Sequence, residues 1–256
     1  MTAMVVGMRG LLLAWMLGGG VVLGTLPEPR EWKAPDGTVL KYRWGAPETL
    51  EKGKTYPLVL FLHGSGERGS DNIAQIGLGV LPLIEQAKKL NEPFFLIAPQ
   101  CPAGSWWATI DWKTMRLSAA AKPNPLMDSV LALVESLMKA NPVDPQRFYV
   151  TGLSMGGFGT WDVLGRAPKR IAAAMPVCGG GDPSLAAKFK DVPIWVFHGE
   201  TDPIVPVKSA RDMIEALEKA GGKPKATIYP ETGHDAWDGT YTNPEVIRWL
   251  FDQRRK

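Results

Sequence analysis

Two hydrophobic patterns alternate along the chain. Short continuous apolar runs, at Pro57–Leu62, Phe94–Ala98, Arg147–Val150, Ala172–Val177, Ile194–Phe197 and Ala226–Tyr229, lack the polar alternation of a half-exposed strand and predict strands buried on both faces of a parallel sheet. Between them, apolar residues recur at helical spacing. Leu126–Lys139 places Leu126, Val130, Leu131, Val134 and Leu137 on one stripe, and Val207–Ala220 and Pro244–Gln253 carry similar stripes, with Pro244 suited to a first helical turn. Ahead of the first run, Glu31–Trp44 reads as a hairpin turning at Asp36-Gly37. This alternation predicts an α/β fold with a mostly parallel central sheet, helices on both faces, and functional loops gathered at the carboxyl ends of the strands. The short Gly179–Val192 stretch leaves little room for a large cap.

The first residues follow a different rule. Arg9 precedes the apolar run Leu11–Leu17, which continues through Gly18–Leu23. A positive start and a short apolar stretch have the order of an export signal, too short for a comfortable membrane span. The expectation is a leader over residues 1–24, a secreted or periplasmic location, no stable span in the mature chain, and one domain over residues 25–256. Composition narrows the class further. A net charge of +3 and 45% hydrophobic residues in 256 positions describe a globular chain. The basic, aromatic-interleaved stripe of a nucleic-acid binder is missing. Cys101 and Cys178 allow at most one bridge, which spacing does not decide. Three dispersed histidines make no zinc pattern, so neither a metal nor a cofactor is expected.

The chemistry centres on Gly152-Leu153-Ser154-Met155-Gly156-Gly157. In a chain with 28 glycines a Gly-x-Ser-x-Gly match decides little by itself; its position between a strand and a helix decides more, because that is the setting of a serine raised on a tight turn as a nucleophile. A hydroxyl nucleophile needs a base, and the partners on such a sheet follow in the order serine, acid, histidine. His63 precedes Ser154, and His198 leaves no strand-end acid between itself and Ser154, so His234 is the candidate base. Asp202, in His198-Gly199-Glu200-Thr201-Asp202-Pro203, is the candidate acid, with Glu200 its rival in the same loop. The small-residue loop His63-Gly64-Ser65-Gly66-Glu67-Arg68 follows an earlier strand and is placed to supply an oxyanion donor. The backbone N–H groups of Ser65 and Met155 are the expected pair, with Glu67 and Arg68 bracketing them as an ion pair. Trp106, Trp107 and Trp112 follow the 94–98 run, and Trp161 and Trp237 lie near the serine and the base in sequence. Of these, Trp106, Trp107 and Trp237 are the candidates for substrate contact.

Taken together, LFLHGSGERGSDN, APQCPAGSWW, VTGLSMGG, HGETDPIVP and TGHDAWDGTY resemble the α/β-hydrolase serine esterases, in particular the phospholipase/carboxylesterase and dienelactone-hydrolase-like groups. The resemblance spans nearly the whole chain after the leader. It implies an α/β-hydrolase fold, Ser154, Asp202 and His234 as a triad, and Ser65 and Met155 as oxyanion donors. Dienelactone hydrolases proper carry a cysteine where Ser154 stands, which argues against a dienelactone substrate. The expected activity is hydrolysis of short-chain or carrier-linked (aryl or carbohydrate) esters. A peptidase of the prolyl oligopeptidase type and a non-catalytic binding module are the alternatives.

Overall fold

The computed structural model describes residues 26–34, 37–118 and 124–255. The leader expected over residues 1–24 and the hairpin residue Asp36 lie outside these. The strands of the main sheet begin with β1 (Glu28–Lys33), β2 (Val39–Gly45), β3 (Tyr56–Leu62) and β4 (Phe95–Pro99). A two-stranded ribbon follows, β5 (Ile110–Asp111) with β6 (Arg116–Leu117). The main sheet then resumes with β7 (Val143–Leu153), β8 (Ala173–Val177), β9 (Trp195–Gly199) and β10 (Lys225–Tyr229). Its order is β1-β2-β4-β3-β7-β8-β9-β10. β1, β2 and β4 pair antiparallel, and every pair from β4 to β10 is parallel.

Helices cover both faces. They are α1 (Val80–Lys89), α2 (Pro125–Ala140), α3 (Met155–Arg166), α4 (Ala186–Phe189), α5 (Lys208–Lys219), α6 (Ala236–Tyr241) and α7 (Pro244–Asp252). The continuous apolar runs now have their reason. In β3, Leu58, Leu60 and Leu62 enter the core beneath α2–α5, whereas Val59 and Phe61 enter the core beneath α1, α6 and α7. Alternate side chains of a strand point to opposite faces, so two covered faces leave no position for a polar residue. All seven residues of β3 are buried.

The expected hairpin forms as β1 and β2. It starts earlier than the alternation indicated, with Pro29 tolerated because β1 is the sheet's edge strand. Among the described residues no large cap stands over the strand ends, and Gly179–Val192 contains only a short turn and α4. No helix of the described residues is long and apolar enough to cross a membrane. The short helices α4 and α6 went unforeseen, as did two further features. One is α1, whose Pro82 sits in the first turn where its missing N–H costs nothing. The other is the β5–β6 ribbon, which leans on the loop after β8 through a Leu117 N–H to Gly181 carbonyl bond of 3.4 Å.

Candidate active site

Four loops at the carboxyl ends of β3, β7, β9 and β10 meet above the sheet. At the end of β7 the chain turns into α3 through Ser154, whose backbone has φ 53° and ψ −116°. Positive φ is costly for a residue with a Cβ, and tight main-chain packing maintains it here. The Ser154 N–H donates to the Val177 carbonyl at 2.9 Å, and its carbonyl accepts from Phe158 at 3.1 Å. Gly156 allows this close approach: a Cβ there would overlap the Leu62 carbonyl at the end of β3, and one on Gly152 would come within 2.5 Å of the same oxygen. The elbow glycines therefore clear room for β3.

From this turn the Ser154 hydroxyl reaches His234 Nε2 at 2.8 Å. On the other side of the ring, Nδ1–H donates to Asp202 Oδ2 at 2.6 Å. With Nδ1 protonated, Nε2 keeps its lone pair and faces the hydroxyl proton. The Asp202 loop after β9 and the His234 loop after β10 are joined at main-chain level, with the Thr201 N–H donating to the Thr232 carbonyl at 3.1 Å. Gly199 permits that approach, since a side chain there would strike the Thr232 and Gly233 carbonyls. Trp237 packs perpendicular to the His234 ring, centroids 5.3 Å apart.

The Asp202 side chain has no exposed surface. Burial alone would raise its pKa. Hydrogen bonds from His198 and His234 and from the Val205 and Ile204 amides overcome that, holding the carboxyl well below the usual carboxylate range. Both amide bonds to Oδ1 measure 2.9 Å. The group is therefore a fixed negative charge beneath the imidazole. His198 had been set aside by chain order, yet its Nε2 lies 2.8 Å from the Val205 carbonyl and 3.3 Å from Asp202 Oδ2, so it props the acid from beneath. The four-residue step from His198 to Asp202 at a strand end is the signal that could have revealed it. Glu200 points away and pairs with Arg211 at 2.5 Å. Cys178 Sγ lies near Asp202 and His234; burial pushes its thiol pKa up to about 12 and keeps it protonated.

Ser65 begins the 3₁₀ turn Ser65–Glu67, and Met155 begins α3. As first residues of helical turns, neither N–H has an acceptor within its own helix. Gly64 lies against the Leu153 side chain, so the Ser65 amide stands one residue, and the Met155 amide two residues, beyond a point of direct contact between the two loops. The expected Glu67–Arg68 ion pair is absent among the described residues. Arg68 is drawn instead to carbonyls, donating from Nε to Ser65 at 2.9 Å, and its guanidinium lies 4.5 Å from the Trp106 ring centroid. Glu67 folds inward, and burial raises its pKa.

The tryptophans divide in a way composition could not foresee. Trp107 is fully buried and donates to the His63 carbonyl at 3.0 Å, which makes it a support for the loop rather than a surface that substrate can touch. Trp161 is also core. Trp106 is partly covered, and Trp112 is 54% exposed and stands edge-to-face with it at 4.7 Å. Cys101 and Cys178 are both buried and free.

Residues 94–238, more than half of the chain, match the dienelactone hydrolase family. The chain belongs to that family. The family match takes in Ser154, Asp202 and His234 and begins after the Ser65 loop. Among solved structures a thermostable esterase superposes with a TM-score of 0.81 at 38% identity, over 91% of this chain and 64% of that one. The fold is thus that of the α/β-hydrolase esterases. An uncharacterized peptidase of Bacillus subtilis (strain 168) is 23% identical over 246 residues, 82% of this chain and 36% of the peptidase. A bifunctional acetylxylan esterase/xylanase of Neocallimastix patriciarum is 29% identical over 116 residues, 39% of this chain and 17% of that enzyme. The chain therefore spans only part of the length of each of these relatives.

Proposed function

We propose that this dienelactone hydrolase family member is a serine carboxylic ester hydrolase acting through an acyl-enzyme on short-chain or carrier-linked esters. The continuous hydrogen-bonded line from Ser154 through His234 to Asp202, at 2.8 and 2.6 Å, carries the reading. Ser154 Oγ attacks the ester carbonyl while His234 Nε2 takes its proton. Asp202 stays ionised and stabilises the imidazolium formed. The carbonyl oxygen becomes an oxyanion beside the Ser65 and Met155 amides, where one well-placed donor is worth about 10²–10³ in kcat. Collapse expels the alcohol, which takes the proton back from His234, and water repeats the sequence on the acyl-serine. Serine in the place of the family's cysteine favours ordinary esters over the dienelactone.

Hydrolysis of p-nitrophenyl acetate and butyrate by the wild type, Ser154→Ala and His234→Ala tests this. Each variant should lose at least about 10³-fold in kcat. Retained turnover in either would exclude the mechanism. The relative from Bacillus subtilis gives a second reading, peptide hydrolysis by the same residues. A peptidyl p-nitroanilide turned over faster than p-nitrophenyl acetate would favour it.

A further inference from the structure

Beside the oxyanion loop runs an open groove of about 680 Å³ that the serine mechanism does not use. Its described lining includes Ser105, Trp106, Thr109, Ile110, Trp112 and Leu126, and none of the described lining residues is charged, although 21% of the chain is. Two contacts tie it to the reacting centre. Arg68 lies over Trp106 in the groove wall and donates to the carbonyl of Ser65, whose own N–H is one of the two proposed oxyanion donors. Ile110 packs with Phe158, one helical turn beyond Ser154, and with Val205, which binds Asp202 through its amide. A group seated in the groove would therefore lie alongside an ester held at Ser154.

From this lining we infer that the groove is a subsite for the neutral glycosyl carrier of a carbohydrate ester; the inference rests on the serine-esterase reading above. Charge narrows the ligand class first: a cationic group would find no partner in the described lining, and the one cation at the wall, Arg68, is already engaged by the Trp106 ring and the Ser65 and Ser105 carbonyls. A long acyl chain needs an enclosed apolar channel, and this groove is open to solvent. A pyranose ring has an apolar C–H face and a rim of hydroxyls. The exposed indole of Trp112 matches the face, and the hydroxyls of Ser105 and Thr109 match the rim. Trp106 holds Trp112 upright from the side, its edge-to-face contact fixing the platform.

The test compares wild type, Trp112→Ala and Trp112→Phe on acetylated xylo-oligosaccharides, p-nitrophenyl acetate and methyl ferulate. Trp112 is largely exposed, so its removal leaves the core intact. For Trp112→Ala, KM on the acetylated oligosaccharides should rise about tenfold with kcat little changed, a loss typical of truncating an aromatic anchor. Kinetics on p-nitrophenyl acetate should stay within twofold, and Trp112→Phe should recover most of the loss. An unchanged KM, or an equal loss on p-nitrophenyl acetate, overturns the subsite. A loss confined to methyl ferulate overturns the glycosyl occupant in favour of an aryl one. Binding is read separately by calorimetric titration of unacetylated xylo-oligosaccharide into Ser154→Ala, a readout that does not depend on the Trp112 indole. Saturable binding that Trp112→Ala removes supports the subsite, and absence of binding overturns it. A wild type inert towards p-nitrophenyl acetate would instead remove the serine-esterase reading.

Discussion

His63 closes β3 with its ring buried, and its protonation state should be readable in the stability of the whole domain. Nδ1–H donates to the Gly64 carbonyl at 2.6 Å, and Nε2 accepts the Cys101 N–H at 2.9 Å. A second ring proton would have to occupy Nε2, against an amide that already points there. Burial, only partly offset by the Gly64 hydrogen bond and reinforced by the nearby Arg68 cation, lowers the pKa from 6.5 to about 4. The unfolded chain therefore binds more protons than the folded one between those values. This contribution is fully present above about pH 6.5 and is lost as pH falls towards 4. Between pH 7 and 4.5 the loss comes to about 2–3 kcal/mol, a large share of the ~5–15 kcal/mol that holds most domains folded. Urea melts across this range for the wild type and His63→Gln isolate the effect. The depressed Asp202 carboxyl loses its stabilising influence only at lower pH, and it is common to both proteins. The wild-type curve should fall by about 2–3 kcal/mol more than that of the variant, whose residue 63 cannot titrate. Curves parallel within about 0.5 kcal/mol would refute the buried neutral histidine and its wiring of the loop.

Strain at the elbow gives a second prediction. Relief of a cost of about 1–3 kcal/mol at Ser154 should outweigh the ~0.4–1 kcal/mol that glycine loses through the unfolded chain. Ser154→Gly should then melt a few degrees above Ser154→Ala, both being inactive, and the reverse order in calorimetry would show the turn to be unstrained. For Cys101 and Cys178, burial raises both thiol pKa values to about 12. Neither should react with Ellman's reagent in the native protein, both should in denaturant, and rapid labelling of one under native conditions would contradict their burial.

What could be read from the sequence follows from which patterns are local. Strands buried on both faces announce themselves as unbroken apolar runs, so β3, β4, β7, β8 and β9 were foreseen, though β7 begins at Val143, which pairs with Tyr56 across a register shift. β10 was foreseen as a strand but not in its burial, because it lies at the sheet edge with no residue fully buried. Order along the chain was enough to nominate Ser154, Asp202 and His234, because sheet topology fixes which strand end carries which loop. The β5–β6 ribbon was hidden because two-residue strands have no period, and contact with the distant Gly181 helps to hold it. The tryptophans were misjudged for a related reason. Neighbours in sequence, Trp106 and Trp107 point opposite ways, one to the groove and one to the core, and only the backbone path decides which. The Glu67–Arg68 pair failed because adjacent charges need not meet when carbonyls and an indole face offer Arg68 nearer partners.

The elbow also explains how the proposed oxyanion donors can be held fixed beside the groove. The separation of the Ser65 and Met155 amides is set where the loops pack closely: Gly156 against the Leu62 carbonyl, Gly64 against the Leu153 side chain, and the Ser154 N–H bonded to the Val177 carbonyl. No side chain that a substrate touches takes part in those contacts. A donor pair built this way is preorganised, costing nothing to arrange when charge develops. Its support is buried as well, in His63 and Trp107 beneath the loop. Arg68, Trp106 and Trp112 stand outside that frame, attached to it only through the Ser65 carbonyl and a ring stack. Substitutions at Trp112 should therefore alter which ester binds while leaving the chemistry at Ser154 intact, and substitutions at Gly156 should do the opposite.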